Sequence, residues 1–246
     1  MMDRSNETSQ KNFGRKVYER KQQTLLRKGI AMNNKAIADL SHGSRQQAPY
    51  EVLMKGFHLI RRVASKKLCG RAACDKVNVC HGTFSFNFAN VESFRHGYIY
   101  NRLLSIDAEQ LPSNSKIAAD LCLSITVLNL ALINHNQSLT IMNSNNKYAS
   151  LANDLYNHAI SALGHMENRG TAALVRIAAL NNLMQLRCRV GNHSLAMETL
   201  QHLGQIMAAG SLDREQRKRI AIDEEAKRGI ILNILSLGNQ NVAAAA

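Results

Sequence analysis

Tryptophan is absent, proline occurs twice (Pro49 and Pro112), and aromatic residues make up only 5% of the 246 positions. Sandwiches and barrels need many β-branched and aromatic residues and frequent turn formers, so this composition argues against an all-β fold. A long uninterrupted apolar run is also missing. The most apolar stretch, Leu121 to Ile133, is broken by Ser124, Thr126 and Asn129 and is shorter than the ~20 residues of a bilayer span, so no transmembrane helix is expected. The first residues lack the apolar centre of a secretory signal, and Asp3, Glu7 and Glu19 oppose a transit peptide, so cytosol or nucleus is the expected compartment. Five cysteines are an odd number for a disulfide framework, and reduced thiols are expected, with Cys122 and Cys188 as small core residues.

The 45% of hydrophobic residues is mostly Ala, Leu and Ile, the composition of stacked helices with a real core. The length allows one extended repeat domain or two small ones. Basic residues are concentrated at one end. Residues 1–72 hold 16 Lys or Arg against 5 Asp or Glu, a net +11 of the total +13. Such asymmetry points to a polyanion or an acidic partner.

Helical periodicity organises most of the chain. Residues 1–21 are polar and weakly periodic and are expected to be a disordered basic N-terminus or a frayed helix. Leu26, Ile30, Ile37 and Leu40 form one stripe from near Gln22, which His42-Gly43-Ser44 stops. Leu53, Gly56, Phe57, Ile60 and Val63 form another, with Pro49 in its first turn, so residues 22–64 predict a first helical hairpin. Residues 65–91 lose the period. The alternation around His81-Gly82 reads either as a two-stranded hairpin or as an irregular insertion. A helix is expected from Val91 to Ile106, and residues 92–209 as a whole read as helical hairpins. In them Ile117 to Leu132 faces Tyr148 to Ala162, and Ala172 to Leu186 faces Ala196 to Met207 across Gly191-Asn192, a left-handed C-cap followed by an N-cap. A capping helix is expected over 210–238, opened by Asp213 with Gln216, and a disordered tail over 239–246.

The hairpins share a pattern. Their first helices carry Asn34-Lys35-Ala36, Asn129-Leu130-Ala131 and Asn182-Leu183-Met184, and their second helices Ala48, Ala152-Tyr156-Ala159 and Ala196-Leu200-Leu203. Ala36 to Ala48 and Met184 to Ala196 have equal spacing, and Tyr100-Asn101-Arg102-Leu103 echoes Tyr156-Asn157-His158-Ala159. At these residues the chain resembles the tetratricopeptide repeat family, in a degenerate form: Met184 replaces a small residue, and the closing proline and the ~34-residue period are missing. With Leu128-Asn129-Leu130-Ala131-Leu132, Asp154-Leu155-Tyr156 and Ala179-Leu180-Asn181-Asn182-Leu183 it is also similar to uncharacterised repeat proteins of diatoms, a resemblance that brings no activity. The family resemblance implies an all-α stack of antiparallel hairpins, a fragment of an α-α superhelix that serves as a non-catalytic scaffold for protein or peptide partners. It also implies that Asn34, Asn129 and Asn182 line a peptide groove, although an asparagine there can equally bond within its own hairpin.

Candidate chemistry is sparse. Cys69, Cys74, Cys80 and His81 lack paired Cys-x-x-Cys spacing, so free thiols and no metal are expected. No Gly-rich phosphate loop, His-Glu-x-x-His or Gly-x-Ser-x-Gly occurs, and His58, His96, His158 and His202 have no carboxylate or serine placed to make a catalytic pair, so neither an enzyme nor a cofactor is expected. Arg15, Lys16, Arg20, Lys21, Arg27, Lys28, Arg61, Arg62, Lys66 and Lys67 could meet phosphates or act in nuclear import. The alternative function is therefore a basic nucleic-acid-associated protein that binds RNA or DNA through residues 11–71, the plain reading being a solvated face. No membrane partner is expected.

Overall fold

A computed structural model describes residues 4–42, 47–65, 79–85, 99–109, 116–140, 147–164, 166, 170–212 and 224–244; side chains are described for these except 4–13, 15, 79–85, 209–212, 224–225 and 237–244. The chain is an all-α stack of antiparallel helical hairpins. Its elements are α1 (Arg4–Ser41), α2 (Gln47–Ala64), β1 (Val79–Ser85), β2 (Arg102–Ile106), α3 (Lys116–Thr140), α4 (Lys147–Ala162), α5 (Gly170–Arg189), α6 (His193–Leu212) and α7 (Glu224–Ala244).

Each helix from α1 to α6 packs against the next, giving three hairpins in a row, α1/α2, α3/α4 and α5/α6. The first hairpin closes on glycines. A methyl group at Gly29 would lie 2.5 Å from Ile60 Cγ1, and one at Gly56 would lie 2.9 Å from the Gly29 carbonyl oxygen, so the two backbones approach as only glycine allows. Between α5 and α6, Gly191 takes φ 79° and Leu195 donates its N–H to Asn192 Oδ1 at 3.4 Å, the cap pair expected from sequence.

The inner helices α3 and α5 are buried on every side, from Ala118 to His135 and from Ala172 to Leu186. By length and composition α3 does pass for a membrane span, contrary to the expectation from its interrupting polar residues. Yet 94% of its most apolar window is buried within the protein, which accounts for that apolar character. Asn134 and Thr126 bond back to Leu130 and Cys122 carbonyls four residues earlier, and Ser124 donates to the Ala159 carbonyl oxygen at 2.6 Å, so the polar residues in the run are satisfied.

The middle of the chain departs from expectation. Residues 102–106 are not the end of a helix but strand β2, and β1, which runs through His81-Gly82 without a turn, pairs antiparallel with it, Val79 opposite Ile106 and His81 opposite Leu104. Leu103 and Leu104 are both fully buried, so the strand has no exposed face and shows no period of two. The Tyr100-Asn101-Arg102-Leu103 echo is accordingly not a fourth helical unit.

Smaller differences follow. The backbone of α1 is helical from Arg4 rather than from near Gln22, and α7 is helical to Ala244, into the expected tail, while α6 runs to Leu212. The expected capping box at Asp213 and Gln216 lies outside the described residues. Ala48 is exposed and Pro49 takes the buried place that Ala196 takes in the third hairpin, so the first hairpin is one residue out of the assumed register. Its connection, residues 42–46, is longer than 190–192. Cys122 is fully buried and Cys188 half-buried.

Candidate functional site

The three asparagines Asn34, Asn129 and Asn182 lie on α1, α3 and α5, the first helices of successive hairpins, and face one extended segment, residues 99–106. An asparagine amide presents a donor and an acceptor side by side, which matches the N–H and C=O that one extended residue turns to the same edge. Each of the three uses this match once. Asn182 Oδ1 accepts the Tyr100 N–H and Nδ2 donates to the Tyr100 carbonyl oxygen, both at 2.8 Å. Asn129 holds Leu104 in the same way at 2.9 and 2.8 Å. Asn34 holds Ile106 at 2.9 and 2.7 Å. The partner of all three amides is therefore outside their own hairpins. Held residues 100, 104 and 106 have equal parity, so they share one edge of the strand, while β1 occupies the other. Each neutral bond contributes about 1 kcal/mol net, and stripping one clamp would leave a buried N–H and C=O unpaired at about 1–3 kcal/mol apiece.

Neighbouring asparagines orient the clamps. Asn129 Nδ2 donates to Asn33 Oδ1 at 2.9 Å, and Asn33 Nδ2 reaches Asn34 Oδ1 at 3.1 Å and the Leu104 carbonyl oxygen at 3.2 Å. The arrangement recurs two hairpins further along. Asn233 on α7 donates to Asn181 Oδ1 at 2.7 Å, and Asn181 Nδ2 reaches Asn182 Oδ1 at 3.1 Å. Asn233 thus has the same relation to Asn181 that Asn129 has to Asn33. Sequence reading missed Asn33, Asn181 and Asn233. The signal was present, since Leu232-Asn233-Ile234 repeats Leu128-Asn129-Leu130.

Behind the row is a buried polar chain. Asn182 Nδ2 also donates to Tyr156 Oη at 3.2 Å, and the same hydroxyl shares a hydrogen bond with His135 Nδ1 at 3.1 Å. Burial, with a smaller contribution from the Arg189 charge, pushes the His135 imidazolium down to a pKa of about 3, so the ring is neutral. Burial raises the Tyr156 phenol, which the Asn182 bond partly offsets.

Apolar contacts complete the floor. Tyr100, Leu103, Leu104 and Ile106 are at most 2% exposed and join the main core with Ile30, Ile37 and the apolar face of α3. Asn101, Arg102, Ser105 and Asp107 are half-buried. The sequence reading missed this segment, whose adjacent leucines imitate a helix.

The candidate cations are distributed differently. Lys16, Arg20, Lys21, Arg27 and Lys28 on α1 and Arg61 and Arg62 on α2 are exposed. The Arg15 side chain and residues Lys66 and Lys67 lie outside what is described. Arg61 sits over the Phe57 ring, 5.9 Å from its centroid. Of the other sequence candidates, His58, His158 and His202 are exposed, His96, Cys69 and Cys74 lie outside the described residues, and Cys80 and His81 belong to β1. Among the described residues no cluster of His, Cys, Asp and Glu is placed to hold a metal ion.

No family model, curated protein or solved structure matches this chain. Two arginines, buried Arg176 and half-buried Arg187, are structural by their partners: Arg176 donates to the Leu163 and Met166 carbonyl oxygens beyond the end of α4, and Arg187 ties Asn153 and Asn157 of α4 to Thr199 of α6.

Proposed function

We propose that the chain is a tetratricopeptide-like, non-catalytic scaffold of the cytosol or nucleus that binds an extended segment of a protein partner along the face made by α1, α3 and α5. One observation carries this reading. Three asparagines, one per hairpin, each make the paired bonds to a single backbone residue of the same extended strand. Backbone pairing of this kind gives affinity without regard to side chains, and specificity comes from pockets for the alternate residues. Selection of random nine-residue peptides against the full chain tests it. Peptides recovered should lose binding to Asn34→Ala and to Asn182→Ala proteins that keep the helical circular dichroism of the parent. Equal binding to the parent and both variants rejects the groove.

A second reading is favoured by the nine described basic side chains that α1 and α2 present to solvent, Lys35 and Lys55 among them. On this reading residues 11–71 bind RNA or DNA and the hairpins hold them.

A further inference from the structure

We propose that residues 99–106 are a built-in competitor for the groove, and that the partner is an extended peptide that binds by displacing them. That peptide would carry an aromatic or large aliphatic residue first and aliphatic residues three, four and six positions later. The proposal rests on the groove reading above and adds to it the chemistry of the ligand and the form of its regulation.

The ligand chemistry is written in the segment that occupies the groove now. Its backbone is held at Tyr100, Leu104 and Ile106 by amides that touch no side-chain atom, so any extended chain offering N–H and C=O at the same positions satisfies them. Its selective part is the set of buried side chains, Tyr100, Leu103, Leu104 and Ile106, against half-buried Asn101, Arg102 and Ser105. The spacing of zero, three, four and six follows directly.

The regulatory part follows from the mode of attachment. Helices α1 to α6 form a continuous stack in which each packs on the next, whereas the segment meets that stack through paired side-chain amides and buried apolar side chains, among other contacts, and meets β1 through strand pairing. It can open without breaking any helix-to-helix contact, as a local unfolding unit. A tethered occupant acts at an effective concentration in the millimolar range. The apparent affinity of an outside peptide falls by the fraction of time the groove is open, so a segment closed ~99% of the time weakens it about 100-fold.

The experiment uses a fluorescent peptide with the sequence of residues 99–107, Ile-Tyr-Asn-Arg-Leu-Leu-Ser-Ile-Asp, titrated by anisotropy into the full chain and into an Ile106→Pro variant. Proline removes the N–H that Asn34 accepts and leaves every groove residue in place. We expect Ile106→Pro to bind at least tenfold more tightly than the parent, a peptide with aspartate for its second leucine to bind neither, and Asn182→Ala in the Ile106→Pro background to abolish binding. Equal, Asn182-dependent affinity for parent and Ile106→Pro overturns the competitor while the groove stands. Absence of binding to Ile106→Pro overturns both readings, and a concentration-dependent dimer of that variant instead of peptide binding assigns the groove to a second copy and overturns the peptide partner. Hydrogen exchange on the unaltered chain removes any dependence on the variant folding. The amides of Tyr100, Leu104 and Ile106 should exchange faster than those of Ile125 to Leu132 in α3, and equal protection would show a permanent core strand and sink the proposal.

Discussion

Asparagine and glutamine are the side chains that carry an amide, with donor and acceptor side by side like the backbone's own, and asparagine presents it with one fewer rotatable bond to fix. That is the physical reason Asn34, Asn129 and Asn182 suit a buried face opposite an extended backbone: a leucine there would strand two polar groups, and an aspartate could not donate. The positions of these residues were legible because the repeat places one of them on each first helix. Their partner was not, since nothing local in Tyr100 to Ile106 signals a strand buried on both sides. The supporting His135 is a residue-scale consequence of the same chain of bonds, through Tyr156 to Asn182. Its pKa in the folded state, about 3, lies below the 6.5 of an unfolded chain, so folding stability from this group is complete above pH 6.5 and is lost as pH falls toward 3. The slope between those limits is about 1.4 kcal/mol per pH unit. Urea midpoints from pH 7 to 4 should therefore fall more steeply for the parent than for His135→Gln, whose amide oxygen can still accept the Tyr156 hydroxyl. Parallel curves would show that the ring does not titrate on unfolding.

At the scale of elements, periodicity reported the helices that have one wet side and failed where burial is complete. α2 shows its stripe plainly because Lys55, Arg61 and Arg62 alternate with buried Leu53, Phe57 and Ile60. β2 has no such contrast, and its pairing with β1 is a non-local choice made by the groove and not by a turn. Packing at the α1/α2 crossing was equally hidden, since a glycine inside a helix looks like a weakness until the neighbouring backbone is seen. This gives a paired prediction. Gly29→Ala should lower stability by about 1–3 kcal/mol, because the added methyl meets Ile60 Cγ1 at 2.5 Å and overrides the helix propensity of alanine. Gly204→Ala in α6, where nothing lies within 4 Å of the added carbon, should raise it by up to ~1 kcal/mol. Guanidinium denaturation of the two proteins reads both signs, and stabilisation by Gly29→Ala would mean the crossing is looser than described.

For the molecule as a whole, the sequence showed charge and apolar structure separating along the chain, and the fold keeps them apart. Of the net +11 of residues 1–72, +6 (9 basic against 3 acidic residues) lies on α1, whose buried stripe, Leu26, Ile30, Ile37 and Leu40, faces the stack. Lys16, Arg20 and Arg27 fall along one line of its outer surface at helical spacing, with Lys21 and Lys28 on a neighbouring line. Clamps and cations are thus different devices on the same first helix, and they respond to different variables. Peptide held by amides in a buried groove is little screened, while polyanion held by exposed lysines and arginines is released by salt. Replacing Lys16, Arg20, Lys21, Arg27 and Lys28 together by glutamine should leave the affinity of the Ile106→Pro variant for the residue 99–107 peptide within twofold. The same replacement should flatten the salt dependence of binding to a single-stranded RNA 20-mer. Each phosphate that a cation no longer neutralises takes about 0.7 off the slope of log affinity against log salt, so removing all five cations would take off about 3.5. An unchanged RNA slope would take the cations out of nucleic-acid binding, and peptide affinity that falls with them would join the two surfaces into one site for an acidic extended segment.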